Sequence, residues 1–256
     1  MIPACPDQVF PLSGYRQCNL TPPLLSKYKN GKGEEIMPFI QDDDKPEIRK
    51  ILSDMEDPVE LVLFTREVNC QYCRETRELL QELSELADGI HLSVYDLQSD
   101  NETAQTYNVD KAPAIVIKGN EDYGIRYYGI PSGYEFSSLL EDVLDVSRGD
   151  PGFNEHQLEQ IARIREPLHL QVFVTPTCPY CPTAVRNAHR MAMVNSNITA
   201  DMIEATEFQE LSQQYGVRGV PRTMVNEDHH IDGGLPEEAF INQIVEQVDT
   251  NETAKA

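Results

Sequence analysis

The sequence predicts an α/β protein made of two tandem domains, each a central mixed sheet flanked by helices. Three observations predict it. The pattern Cys-x-Tyr-Cys occurs twice, at residues 70–73 and at residues 178–181. An apolar residue and a proline follow each copy at the same distance, since Pro113 and Pro221 each lie 43 residues after the first cysteine of their copy. Similar segments surround both copies, so the chain repeats itself with a period of 108 residues.

Apolar and amphipathic segments alternate through the first copy. Residues 59–65 form a near-continuous apolar run, which is typical of a central strand covered on both faces. Apolar residues at helical spacing predict one helix over residues 46–56 and another from Cys70 to about residue 87. The later segments predict strands at 90–97, 113–118 and 125–130, a short helix at 102–107 and a closing helix around 136–144.

The second copy repeats this order after a Gly- and Pro-containing junction at residues 147–152. We therefore place the domains at residues 37–148 and 149–256, with frayed residues after 248. The expected helices cover 156–165, a stretch opened by Cys178, 207–215 and 236–248, and the expected strands cover 168–175, 198–204, 221–225 and 229–231.

Residues 1–36 differ from the rest of the chain. They contain several prolines and no sustained apolar period, so we expect a poorly ordered extension. Cys5 and Cys18 lie in it as incidental thiols, or as a local disulfide or metal pair. The residues before Met37 have purine-rich codons like a translated ribosome-binding site, so we expect Met37 to be the biological start and the extension to be non-native.

Composition limits the possible functions. The 256 residues are 40% hydrophobic, which suffices for two globular cores. A net charge of −22 disfavours nucleic acids and anionic membranes as partners. The chain has neither an apolar run near the ~20 residues of a membrane helix nor a secretory signal, so we expect a cytoplasmic protein. Paired cysteines in such a chain indicate catalytic or metal-binding sites.

The two CxxC pairs suit thiol–disulfide chemistry. A thiolate, not a thiol, attacks a disulfide, and the N-terminal end of a helix stabilises a thiolate through its free N–H groups and dipole. We expect Cys70 and Cys178 to lie at such a helix start and to be the attacking cysteines. Cys73 and Cys181 follow one turn later on the same side, so each can resolve a mixed disulfide.

The prolines point to a substrate-binding edge. Ala112-Pro113 and Val220-Pro221 open the third predicted strand of each domain. If these bonds are cis, each places a backbone edge beside its CxxC pair, where a substrate peptide can form strand-like hydrogen bonds. We therefore expect these four residues to bind substrate.

Two other functions remain open. Two CxxC pairs could together ligate a structural zinc ion, although more than a domain separates Cys73 from Cys178 in sequence. A binding or chaperone-like module without redox activity is the second alternative, and the retention of all four cysteines argues against it. We expect no metal and no cofactor other than the redox-active disulfides.

The motifs resemble those of a known family. The segments Asn69-Cys70-Gln71-Tyr72-Cys73, Lys111-Ala112-Pro113-Ala114, residues 126–131 and residues 173–182 resemble thioredoxin-fold domains, and the chain from about Met37 resembles the two-domain protein disulfide oxidoreductases of thermophilic archaea and bacteria, relatives of glutaredoxin and protein disulfide isomerase. The resemblance implies reduction, oxidation or isomerisation of protein disulfides. It also implies a thioredoxin-reductase-like flavoprotein as electron donor, and a more active site at the Cys-Pro-Tyr-Cys copy.

One feature of the wider superfamily is missing. Many thioredoxins carry a buried acid six residues before the attacking cysteine, whereas this chain has Phe64 and Val172 at those positions. The sequence therefore names no proton acceptor.

Overall fold

The structure is a computed structural model that describes residues 28–29, 35–36, 38–227 and 229–255. Residues 39–256 form one compact unit. Ahead of it in the sequence, strands β1 (Tyr28–Lys29) and β2 (Glu35–Ile36) pair antiparallel. Most of the predicted N-terminal extension lies outside the described residues, including Cys5, Cys18 and Met37.

The first half of the compact unit follows the predicted order of elements. Strand β3 is buried at every residue except Glu60, as its apolar run predicts. A left-handed Gly149 ends the closing helix at the predicted junction. The elements are α1 (Lys45–Leu52), β3 (Val59–Thr65), α2 (Cys73–Ser84), β4 (Ile90–Asp96), α3 (Asn101–Thr106), β5 (Ala114–Lys118), β6 (Asp122–Tyr128) and α4 (Glu135–Arg148).

The second half repeats this order. Asn154 caps its first helix through a capping box with Gln157. The last helix continues to Lys255, so the prediction of fraying after residue 248 is wrong in the described backbone. The elements are α5 (Glu155–Ile161), β7 (Leu168–Val174), α6 (Cys181–Val194), β8 (Ile198–Glu204), α7 (Gln209–Gln214), β9 (Arg222–Val225), β10 (His229–Asp232) and α8 (Glu237–Lys255).

The two halves share one sheet. Its eight strands lie in the order β10-β9-β7-β8-β6-β5-β3-β4. Strands β6 and β8 join the halves in parallel, with Ile125–Tyr128 opposite Ala200–Ile203. The sequence predicts a sheet for each domain but not this junction, because an apolar strand has the same pattern whether its neighbour is in its own domain or in the other. Within this sheet, β5 and β9 run opposite to the other six strands.

A buried polar network joins the helices on one face of the sheet. In α4, Asp142 is fully buried and accepts a hydrogen bond from Tyr127 Oη at 2.5 Å. From α6, Arg186 forms ion pairs with Asp142 and Asp145, and His189 Nδ1 lies 2.5 Å from Asp142. Burial lowers the pKa of His189 to about 3, so its imidazole is neutral. These contacts fix the position of one half against the other.

Candidate functional site

Both CxxC pairs lie at one edge of the shared sheet. Cys70 follows the end of β3 and Cys178 follows the end of β7, and these two strands run in the same direction. Each pair forms a disulfide, Cys70–Cys73 and Cys178–Cys181, with Cα atoms 5.5 Å apart in both. The repeated motif therefore produces two disulfides on the same side of the molecule.

The helices begin later than predicted. Cys73 and Cys181 are the first residues of α2 and α6, so the attacking positions Cys70 and Cys178 lie in the turn before each helix and not in its first turn. In the second copy, the Cys181 N–H donates to the Cys178 carbonyl at 3.4 Å, which closes a turn over Pro179. Proline favours the second position of such a turn, and this turn precedes the regular helix.

The two sulfurs of each pair differ in exposure. Cys70 is half-buried while Cys73 is 5% exposed, and Cys178 is 7% exposed while Cys181 is fully buried. In the first pair, the Arg66 N–H also donates to Cys73 Sγ at 3.3 Å. A reagent from solvent therefore meets the first cysteine of each pair more readily than the second.

Both prolines lie beside the strand ends that lead to the cysteines. Ala114 is paired with Phe64 and Arg222 with Phe173, so Pro113 and Pro221 sit at the same sheet edge as the disulfides. The Ala112–Pro113 and Val220–Pro221 bonds are both cis, as the substrate-edge hypothesis requires. The proline carbonyls accept from Gly129 and Gly233.

The residues before these prolines keep free backbone groups. In the described parts of the chain, the N–H and C=O groups of Ala112 and Val220 have no hydrogen-bond partner. Both residues are also partly exposed. Each disulfide therefore has an adjacent backbone edge that can pair with an extended peptide.

A buried carboxyl that sequence reasoning missed lies between the two halves. Glu135 is the first residue of α4 and is 1% exposed. Its Oε2 accepts from the Ser138 hydroxyl at 2.8 Å, and its Oε1 has no partner among the described residues. Burial raises the pKa of Glu135 to about 7. In the sequence it resembles any acidic residue in the first turn of a helix, so no signal distinguished it.

The helix register places Glu135 level with Cys181. Helices α4 and α6 follow parallel strands and run in the same direction, and Asp142 of α4 contacts Arg186 and His189 of α6. Asp142 lies seven residues into α4, and its partners lie five and eight residues after Cys181. Counting back along both helices brings Glu135 beside the first turn of α6.

The loop before Glu135 is tied to the second half at several points. Its Tyr134 N–H donates to the Pro176 carbonyl at 3.0 Å, two residues before Cys178. Its Ile130 N–H donates to Glu207 Oε1 at 2.6 Å. Burial, together with the charge of Glu204, raises the pKa of Glu207 to about 7, against the effect of the Ile130 hydrogen bond. The N-terminal half thus supplies part of the surroundings of the second disulfide.

Other candidates have different roles. We considered Arg222 as a partner for a thiolate, but its guanidinium forms an ion pair with Asp232 and donates to the Gly216 carbonyl. A zinc site built from both CxxC pairs does not fit the strand order, because β3 and β7 are four strand spacings apart, roughly 19 Å. Among the described residues, no group of three or more His, Cys, Asp or Glu side chains is placed to hold a metal.

Fold and site together define the class, a thiol–disulfide oxidoreductase with two CxxC disulfides on tandem thioredoxin folds. The chain belongs to the thioredoxin-domain family, whose model matches residues 62–141 and 168–246. Both predicted domains carry such a match, so the predicted fold class is confirmed.

Known proteins share this architecture. A protein disulfide oxidoreductase from Aeropyrum pernix superposes with a TM-score of 0.76 and 27% identity, over 82% of this chain and 94% of that one. The N-terminal domain of alkylhydroperoxide reductase AhpF from Enterococcus faecalis gives 0.74 at 23% identity, over 80% of this chain and 99% of that one, and shows the fold alone. The alkyl hydroperoxide reductase protein AhpF of Staphylococcus aureus is 27% identical over 81% of this chain, which spans only 38% of that relative.

The described helices include none that combines the length and apolar character needed to cross a membrane.

Proposed function

We propose that the protein exchanges two electrons with the disulfides of protein substrates at both CxxC sites. The observation that carries this proposal is the repeated arrangement of a disulfide, with its first sulfur the more exposed, beside an unpaired backbone edge. The four cysteines perform the exchange. Ala112, Pro113, Val220 and Pro221 form the two edges that hold the substrate peptide.

Each reductive cycle has two exchange steps. The thiolate of Cys178 attacks one sulfur of the substrate disulfide, forms a mixed disulfide and releases the other substrate sulfur as a thiolate. The thiol of Cys181 then loses its proton and attacks Cys178 Sγ, which breaks the mixed disulfide and releases the second substrate thiolate. The substrate gains two electrons and the protein returns to its disulfide form. Cys70 and Cys73 act in the same way, and oxidation of a dithiol is the reverse sequence.

Glu135 fits the role of proton acceptor at the second site. Cys181 is fully buried, so its thiol needs an internal base before it can attack. A carboxyl with a pKa near 7 and an unpartnered oxygen can take that proton at neutral pH. The acid expected on the strand before the cysteine, where Val172 lies in the sequence, would then be replaced by an acid from the other half of the molecule.

An external reductant must regenerate the dithiols. We propose a thioredoxin-reductase-like flavoprotein as the electron donor. The similarity to a segment of the alkyl hydroperoxide reductase protein AhpF supports a place in a reductase system. Efficient reduction of the protein by such a flavoprotein and NADPH would support this partner, and a rate no higher than with NADPH alone would exclude it.

Reduction of insulin disulfides with dithiothreitol tests the proposed function. We expect the parent protein to accelerate the reaction and Cys178→Ser to remove most of that acceleration, with the remainder due to Cys70. Cys5→Ser is the matched control and should leave the rate unchanged. A parent protein without activity above background would favour a binding or chaperone-like module.

A further inference from the structure

The surface around the second disulfide contains an aromatic residue from the other half of the molecule. Helices α2, α4 and α6 follow β3, β6 and β7, which run in the same direction, so all three helices begin at the edge that carries the disulfides. Each has a tyrosine at its N-cap position, namely Tyr72, Tyr134 and Tyr180. Because β6 lies between β3 and β7, Tyr134 lies between the two sites.

Two of these tyrosines are exposed. Tyr134 is 46% and Tyr180 is 68% exposed. Val68, two residues before Cys70, is also exposed. These three are half of the large apolar residues that are exposed in the described part of the chain. An exposed apolar group confined to one functional edge indicates an interaction surface.

The position of Tyr134 is fixed by contacts to the second half. Its N–H donates to the Pro176 carbonyl, and its own carbonyl accepts from Ser137 Oγ at 2.7 Å. Gly133 is packed directly against Pro176, with no room for a side chain. Farther along the loop, Ile130 is held by Glu207. A side chain on such a fixed loop can contact a substrate with little loss of conformational entropy.

We propose that Tyr134 is a specificity-determining residue of the Cys178–Cys181 site, contributed by the N-terminal half. It contacts an apolar side chain next to the reactive cysteine of a protein substrate while that peptide pairs with the free backbone edge of Val220. This inference rests on the proposed function and deepens it.

Charge selects the kind of peptide further. The net charge of the protein is −22, and Glu207 lies close to the fixed loop. Acidic segments are therefore repelled. The substrate segment is apolar and neutral or basic, and Tyr134 and Tyr180 are available to contact it on either side of Cys178.

The test uses a Cys70→Ser/Cys73→Ser background, in which only the second site reacts. The pre-reduced protein is mixed with two neutral disulfide-linked peptides that carry Phe or Ser beside the cysteine. Acid quenching and thiol labelling then give the rate of oxidation. We expect a preference of about three- to tenfold for the Phe peptide, the size of one aromatic contact.

Tyr134→Ala should reduce this preference to nearly one while the rate with bis(2-hydroxyethyl) disulfide, which has no side chain to contact, stays unchanged. Tyr134→Phe should keep the preference. Leu158→Ala removes a similarly exposed apolar side chain far from the site and is the matched control.

The inference is wrong if Tyr134→Ala keeps the preference of the parent. It is also wrong if that variant slows both the peptides and the small disulfide equally, because Tyr134 would then have only a structural role. Failure of the proposed function has a different signature, since the parent would then react with neither the peptides nor the small disulfide.

Discussion

At the scale of single residues, Glu135 combines near-complete burial with a partly satisfied carboxyl. Its pKa rises from 4.5 to about 7, chiefly because burial penalises the charged form. Below pH 4.5 the carboxyl is neutral in both the folded and the unfolded chain. As the pH rises to 7, the unfolded chain ionises first, so the folded state is progressively destabilised, by roughly 3 kcal/mol in total.

Replacement of Glu135 should reveal this penalty. Glu135→Gln cannot ionise, so its free energy of unfolding relative to the parent should rise by roughly 3 kcal/mol between pH 4.5 and pH 8. Urea unfolding at several pH values measures it. Glu155→Gln removes the exposed acid that begins α5 and should show no such trend. Equal pH dependence in the two variants would contradict the buried state of Glu135.

The proposed role of Glu135 also predicts a kinetic effect. In a Cys70→Ser/Cys73→Ser background, Glu135→Gln should slow the release of reduced substrate from the mixed disulfide by about 10²-fold or more. The formation of that mixed disulfide, which Cys178 performs, should change little. Rapid quenching separates the two steps. An unchanged release rate would leave Cys181 without Glu135 as its base.

At the scale of elements, the loop between β6 and α4 is the contact through which one half shapes the site of the other. Gly133 has φ of 61°, and a Cβ added there would meet the Pro176 backbone. Gly216 has φ of 60° but no atom within 4 Å of such a Cβ. The two glycines separate backbone strain from the contact itself.

Alanine at these glycines should therefore have unequal effects. Gly216→Ala should cost about 1 kcal/mol of stability through its left-handed backbone alone. Gly133→Ala should cost more, and it should lower activity at the second site while the first site, assayed in a Cys178→Ser/Cys181→Ser background, is preserved. Thermal unfolding and insulin reduction measure both. Equal losses at the two disulfide sites would contradict a local role for the loop.

The elements also show how far the sequence can lead. The apolar runs and helical spacing predict almost every strand and helix of residues 45–248, and the repeat locates both disulfides. The helix starts are displaced because Pro179, and its counterpart Gln71, lie in a turn whose hydrogen bonds the apolar pattern does not encode. Glu135 and Tyr134 escape prediction because their role depends on the β6–β8 junction, which brings together residues distant in sequence.

At the scale of the whole molecule, the continuous sheet keeps the two disulfides apart. Four strand spacings separate β3 from β7, roughly 19 Å, while exchange needs two sulfurs at bonding distance. The buried network of Asp142, Arg186 and His189 holds the halves in this arrangement. Electrons can therefore pass between the sites only through a third dithiol or a second molecule.

Partial reduction of the parent protein tests this separation. After addition of one equivalent of dithiothreitol, the redistribution of thiols between residues 70–73 and 178–181 should accelerate in proportion to protein concentration. Timed alkylation and peptide mass spectrometry measure that rate. A fast redistribution that does not depend on concentration would mean direct exchange within one molecule.

The most direct test of the central claim is an equilibrium redox titration of both sites. The protein is equilibrated with buffers of reduced and oxidised dithiothreitol, alkylated, and each CxxC peptide is quantified by mass spectrometry. The account predicts that each pair converts reversibly between disulfide and dithiol with a two-electron dependence on potential. Pairs that stay fully oxidised or fully reduced across the whole range, or that titrate only with added zinc, would contradict it.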